Sequence, residues 1–144
     1  MFTGNYNLLR NNAGLIKRAV SISLTSPSWI RVNELPELMP SWNLLKMFQA
    51  ERINEEDYIR IYASHLEKLN PENVKEQLYR MTKGEEPILM CWCGQNDFCH
   101  RHLAADWIEE KLGIEVKEFS KKKFKREKGH IYEDVPEHQL NMFE

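Results

Sequence analysis

The sequence predicts a single α/β domain with a mostly parallel sheet of four to five strands and helices on its faces. Three observations carry this. Short apolar runs, candidates for buried strands, alternate along the chain with longer stretches patterned at helical spacing. The connections carry helix caps and turn residues at the places where one type of element gives way to the other. The chain has 144 residues, enough for one real core and too few for two.

Met1–Tyr6 reads as the first strand, ending at Asn5, and Asn7–Lys17 as a polar, irregular connection interrupted by Gly14. Ala19–Leu24 alternates and then runs apolar, which makes it the second strand, left by the loop Thr25-Ser26-Pro27-Ser28-Trp29. Pro36 and Pro40 punctuate the next segment, and Ser41 caps a short helix through Phe48 with Trp42, Leu45 and Phe48 on one side. Asn54 with Asp57 three residues on is a variant capping box. It opens a helix whose stripe is Tyr58, Ile61, Tyr62, His65, Leu66 and Leu69. Asn70-Pro71 stops that helix and starts another, lined by Val74, Leu78 and Met81 and ended by Gly84. Ile88, Leu89 and Met90 form a buried strand, Gly94 to Asp97 a turn, and a helix runs from about Cys99 to Gly113, a residue suited to the left-handed conformation past a helix end. Glu115–Phe119 is the last strand.

Bulk properties narrow the class. With 42% hydrophobic and 29% charged residues and a net charge of −2, the composition is that of a soluble globular protein. No apolar run approaches a membrane span and no secretory core comes after Met1, so a cytoplasmic protein with no membrane partner is expected. The three cysteines are an odd number grouped at one place, which argues against a disulfide scaffold.

That place is the strand–turn–helix unit from Pro87 to Gly113, which holds all 3 cysteines of the chain. On the helix, Leu103, Ala104, Trp107, Ile108 and Leu112 share one face; His100 falls near its middle and Arg101 at its edge, while His102 points the other way, toward water. Cys99 sits at the helix start, where unpaired N–H groups and the positive dipole end favour an anion or a thiolate. These residue types suit an anion site with catalytic potential: Arg101 for a two-pronged contact with a phosphate or carboxylate, His100 as acid or base, Cys99 as nucleophile. The structural alternative is a buried Cys99, a His100 bonded to a carbonyl and an Arg101 capping a neighbouring loop. A thiol phosphatase or sulfurtransferase is disfavoured, because those sites need a phosphate loop after the cysteine and Arg101 comes two residues after Cys99 inside a helix.

Cys91 with the run Phe98-Cys99-His100-Arg101-His102-Leu103, then Ala104, Ala105 and Trp107, resembles the signature of the DUF488 family in its small bacterial and phage form. Phe2–Tyr6, Val20–Ser23 with Pro27 and Trp29, and Glu56–Leu66 are similar to that family's first two strands and middle helix, so the resemblance covers roughly residues 1–120. Where Cys93 stands, many relatives of that family carry an acidic residue. The resemblance implies a fold more than a reaction. It divides the chain into a DUF488-like domain over 1–119 and a basic segment with a C-terminal tail over 120–144, and it draws Cys91 into the site beside Cys99 and His100.

In parallel sheets ligands sit beyond the carboxyl ends of the strands, which brings Asn5, Tyr6 and Ser23 to the same place as Cys91–Arg101 as candidate binding residues. Tyr62, on a stripe that reads first as core, is a further candidate whose hydroxyl would reach the pocket. Cys91, Cys93, Cys99 and His100 offer four soft ligands, but C-x-C-x5-C-H lacks the usual C-x2-C knuckle and a second pair; no residue is assigned to a metal and no cofactor is assigned. Cys91 and Cys93 as core thiols is the alternative.

Beyond Phe119 the composition changes. Lys117–Lys128 holds seven basic and two acidic residues, a net of +5, able to track a nucleic-acid backbone or to blunt a sheet edge. The tail Gln139-Leu140-Asn141-Met142-Phe143 resembles the short motif by which bacterial proteins dock on the DNA sliding clamp, with Gln139, Leu140, Met142 and Phe143 as the docking residues. Two functions are expected on these grounds. One is binding or processing of an anionic ligand, a nucleotide or nucleic acid, at the Cys/His/Arg site. The other is a non-catalytic nucleic-acid-associated module held to the clamp by its tail.

Overall fold

The computed structural model describes residues 1–94 and 97–135. Five strands, β1 (Phe2–Asn5), β2 (Ala19–Ser21), β3 (Asn33–Glu34), β4 (Ile88–Cys91) and β5 (Lys117–Glu118), form one sheet in the order β3-β2-β4-β1-β5, with every neighbouring pair parallel. The expected α/β domain with a mostly parallel sheet is therefore what the chain adopts. β4 lies at the centre, its residues Ile88–Cys91 buried throughout, as an uninterrupted apolar run between two parallel neighbours requires.

The pleat of β4 divides the core. Leu89 packs with the side chains of α1 (Trp42–Gln49), α2 (Glu55–Leu66), α3 (Pro71–Met81) and α4 (His100–Leu112), so the larger cluster includes Leu44, Tyr58, Tyr62, Leu78 and Ile108. Ile88 and Met90 face the other side, where Tyr6, Leu9 and Ala19 join them. That side is covered by two short 3-10 helices, Tyr6–Leu9 and Ala13–Arg18, in the stretch whose polarity predicts irregular chain. Burial of alternate strand residues on opposite faces is a consequence of the two-residue period of a strand.

Local caps set the helix boundaries. Ser41 accepts the Leu44 N–H at 3.0 Å. Asn54 and Asp57 form a reciprocal capping box, and Asn70 accepts the Asn73 N–H ahead of Pro71. Gly113 takes the left-handed conformation, φ 66°, one residue past α4. Three boundaries fall short of expectation: β2 stops at Ser21 and not Leu24, α2 ends at Leu66, and the last strand pairs only over Lys117–Glu118, though the Phe119 N–H reaches the Thr3 carbonyl at 2.7 Å.

The basic segment folds into an antiparallel hairpin, β6 (Phe124–Glu127) and β7 (His130–Glu133), apart from the main sheet. Lys128 and Gly129 make its turn, both at positive φ (50° and 82°), as a two-residue hairpin turn demands. The hairpin lies on α4. Arg126 bonds Asp106, Glu109 and the Val116 carbonyl, and the Gly129 carbonyl accepts the Cys99 N–H at 2.9 Å. No helix among the described residues is long and apolar enough to cross a membrane. Gln139, Leu140, Met142 and Phe143 lie outside the described residues.

Candidate functional site

The carboxyl ends of β1, β2 and β4, three adjacent strands, bring together Asn5 and Tyr6, Ser21 to Ser23, and Cys91 to Cys93. Asn5 Oδ1 accepts the Asn7 N–H at 2.8 Å and its Nδ2 donates to the Cys93 carbonyl at 3.2 Å, tying the end of β1 to the loop after β4. The Tyr6 hydroxyl stands 2.6 Å from both Ser21 Oγ and Ser23 Oγ. Since Ser23 Oγ donates to the Thr25 carbonyl at 2.7 Å, the chain of protons runs from Ser21 to Tyr6 to Ser23 to Thr25. Burial pushes the Tyr6 hydroxyl pKa up, against the lowering effect of its serine partners. Edge-on to Tyr6, at 4.8 Å between ring centroids, Trp92 donates its indole N–H to the Thr25 carbonyl at 2.8 Å.

Arg101 lies beneath this layer, without exposed surface. Its Nε and Nη2 bond Glu118 at 3.2 and 3.0 Å, and its Nη1 points at Cys91 Sγ, 3.1 Å away, and at the Cys93 carbonyl, 2.9 Å away. The two-pronged carboxylate contact that the sequence suggests for a ligand is thus made to Glu118 from β5, whose Oε1 also accepts the Thr3 hydroxyl at 2.7 Å. The pairing holds the guanidinium's proton more tightly than usual: the neighbouring cysteines and Glu118 outweigh a desolvation that would lower its pKa.

Three sulfurs gather here, one of which, Cys91 Sγ, touches the guanidinium. Cys91 closes β4, Cys93 comes next in the loop and Cys99 caps α4; their Sγ atoms all lie within 4.8 Å of one another. Burial alone would raise the Cys91 pKa, but hydrogen bonds from Cys93 and Cys99, with the charge of Arg101 behind them, bring it well below the usual thiol value. The bond to Cys91 pushes Cys93 up to about 12, and burial raises Cys99 well above its ordinary value. Of the three sulfurs, Cys91 is the one whose surroundings favour the thiolate, while those of the helix-capping Cys99 favour the thiol. The Cys99 sulfur does accept the Arg101 backbone N–H, at 3.5 Å, but burial and the neighbouring thiols raise its pKa.

His100 donates from Nε2 to the Ile22 carbonyl at 2.6 Å, the backbone bond that the structural alternative supposes, and so presents a bare Nδ1 toward Cys99 Sγ, 4.0 Å away. Burial lowers its pKa and keeps the ring neutral. Tyr62 packs edge-on to this imidazole at 5.6 Å, but its hydroxyl donates to the Leu38 carbonyl at 2.6 Å. His102 departs from expectation. It is fully buried, and neither ring nitrogen has a partner among the described residues. The hairpin is the reason: Arg126 grips Asp106 and Glu109, which share the helical stripe of His102, so the face read as solvent-facing is covered.

Cys91, Cys93 and His100 form part of the floor of a cleft of about 360 Å³ walled by Ser23, Thr25 and Pro40. Trp42 and Trp92, 52% and 49% exposed, stand in its lining as well. Sequence pattern marks neither indole as a site residue. Trp42 reads as one of a trio on one side of α1, and Trp92 is hidden between two cysteines. The signal that could have found Trp92 is its place directly after a strand end, where side chains border a ligand cleft. Glu118 escapes sequence reasoning because it pairs from an edge strand.

A family model described as the active DUF488-N3 subclade matches residues 18–112. The match takes in β2, β4 and α4, hence Cys91, Cys93, Cys99, His100 and Arg101, and stops before Glu118 and the hairpin. No curated protein and no solved structure matches the chain.

Proposed function

This chain belongs to the DUF488 family, and on that premise we propose that it binds a nucleotide, free or within a nucleic acid, in the cleft above Cys91 and acts on it there. One observation carries the reading: the Arg101 guanidinium stands 3.1 Å from Cys91 Sγ at the floor of a cleft whose lining includes two exposed indoles. Indole faces stack on any base, a contact worth about 1–3 kcal/mol per base. A thiol whose pKa is lowered by a buried guanidinium and neighbouring thiols is poised to act as nucleophile or ligand. Arg101 serves the ligand through Cys91, since Glu118 engages its other two nitrogens and the Cys93 carbonyl shares Nη1. His100, neutral with Nδ1 bare, is placed to accept a proton, and Asn5, Tyr6 and Ser23 hold the loops that frame the cleft. A reducing cytoplasm suits the free thiols.

The test is a tryptophan-fluorescence titration with mononucleotides and short single strands. Quenching that saturates, and that Trp42→Ala weakens about fivefold to a hundredfold while the far-UV circular dichroism is unchanged, supports the reading. Absence of any change up to millimolar nucleotide removes it.

The second reading, a nucleic-acid-associated module docked on the sliding clamp through Gln139, Leu140, Met142 and Phe143, is favoured by one feature: Lys121, Lys122, Lys123, Lys125 and Lys128 are all exposed on and around one hairpin. Pull-down with the host clamp, comparing the intact chain with Phe143→Ala, decides it.

A further inference from the structure

We propose that Cys91, Cys93 and Cys99 form a three-thiolate site for a soft divalent metal ion, zinc foremost, with the fourth position turned to the cleft beside His100. The three Sγ atoms come from a strand end, a loop and a helix cap, and all lie within 4.8 Å of one another. Zinc–sulfur bonds of about 2.3 Å place the sulfurs of a tetrahedral site about 3.8 Å apart, so the thiols need close by only about an ångström. The folded chain supplies the convergence that a C-x2-C knuckle supplies in sequence.

The surroundings are those of a metal centre. Arg101 donates Nη1–H to Cys91 Sγ at 3.1 Å and its backbone N–H to Cys99 Sγ at 3.5 Å, so two of the three sulfurs already have the N–H donors that steady metal-bound thiolates. His100 is oriented like a ligating imidazole: its Nε2–H is held by the Ile22 carbonyl at 2.6 Å, which fixes the tautomer and leaves Nδ1 free 4.0 Å from Cys99 Sγ. Cys91, Cys93 and His100 all line the cleft, so the open position faces whatever binds there. A soft donor set of this kind selects zinc or another thiophilic ion over magnesium or calcium. Each thiol that binds as thiolate releases its proton to solvent. The site shares the cleft of the proposed nucleotide but does not require the nucleotide to bind.

The experiment uses the full chain, reduced, stripped with a chelator and titrated with cobalt(II) as a spectroscopic substitute for zinc, with zinc competition afterwards. One cobalt per chain is expected, with the thiolate-to-cobalt charge-transfer band and the visible bands of a tetrahedral ion, both displaced by one equivalent of zinc. Cys93→Ser, at a half-buried loop position that leaves the core intact, is expected to weaken binding at least a hundredfold with unchanged circular dichroism. Folded wild-type protein that gives no charge-transfer band, or Cys93→Ser that binds cobalt as tightly as wild type, overturns the proposal. The nucleotide titration is run on the same preparations. Metal binding without nucleotide quenching leaves this site standing and removes only the nucleotide, and the reverse result removes only the metal.

Discussion

Arg101 and Glu118 form a bidentate ion pair almost wholly out of water: the arginine side chain has no exposed surface and the glutamate 6%. Breaking such a pair by removing one partner leaves an uncompensated buried charge, at a cost of about 3–5 kcal/mol. Glu118→Gln is therefore expected to lower the unfolding free energy by that order in urea titration, whereas Lys117→Ala, one residue away and exposed, should change it by less than about 0.5 kcal/mol. Equal, small effects of the two substitutions would mean that the pair is not holding α4 to β5.

The three thiols should differ in chemistry. With Cys91 well below the ordinary thiol pKa and Cys93 pushed up to about 12, metal-free protein at neutral pH is expected to alkylate first at Cys91, although Cys93 is the more exposed. Peptide mass spectrometry after brief iodoacetamide treatment reads this directly. Arg101→Met should slow Cys91 labelling. Faster labelling of Cys93 at pH 7 would contradict the assignment of the thiolate.

His102 makes stability fall on the acid side. Burial, with the charge of Arg101 added, pushes its folded pKa down to about 3, below the unfolded value of about 6.5. As pH falls the unfolded chain takes up the proton first. The full stability is present above about pH 6.5 and is lost toward pH 3, at about 1.4 kcal/mol per pH unit for one histidine. His100, also lowered by burial, adds to the slope. Denaturation midpoints between pH 6.5 and 5 should flatten by about one proton's worth in His102→Leu. An unchanged slope would mean that His102 is not the titrating group.

The hairpin depends on one glycine. A methyl group on Gly129 would run into the Phe98 ring, and φ there is 82°. Gly129→Ala should cost about 1–3 kcal/mol and loosen the hairpin from α4, which increased amide exchange at Cys99, whose N–H bonds the Gly129 carbonyl, would report. Gly14→Ala, where nothing lies within 4 Å, is the control.

What was legible in the sequence is what is local. The Asn54–Asp57 box, the Asn70-Pro71 start and the Gly113 stop each act within one turn, and each stands where the residues place it. The convergence of Asn5, Tyr6, Ser23 and Cys91 was legible too, since parallel strands put all their carboxyl ends at one edge of the sheet. The long-range pairings were not. Nothing in a 3.6-residue period says that a hairpin will lie over His102, and a periodicity argument assigns one face of a helix to water by default. The Arg101–Glu118 bond joins a helix start to an edge strand across β4 and β1, a relation that no spacing encodes. The closeness of the three sulfurs depends on where the loop between β4 and α4 folds, and C-x-C-x5-C does not specify it.

Glu118 meets Thr3 across 115 positions and Arg101 across 17, and the hairpin that lies over the first turn of α4 comes later still. Synthesis at about 5–20 residues per second therefore delivers all three cysteines before the residues that neutralise Arg101 and cover His102. The site is thus backed by chain made after every cysteine, while Cys91, Cys93 and His100 keep their place in the lining of the cleft on its other side.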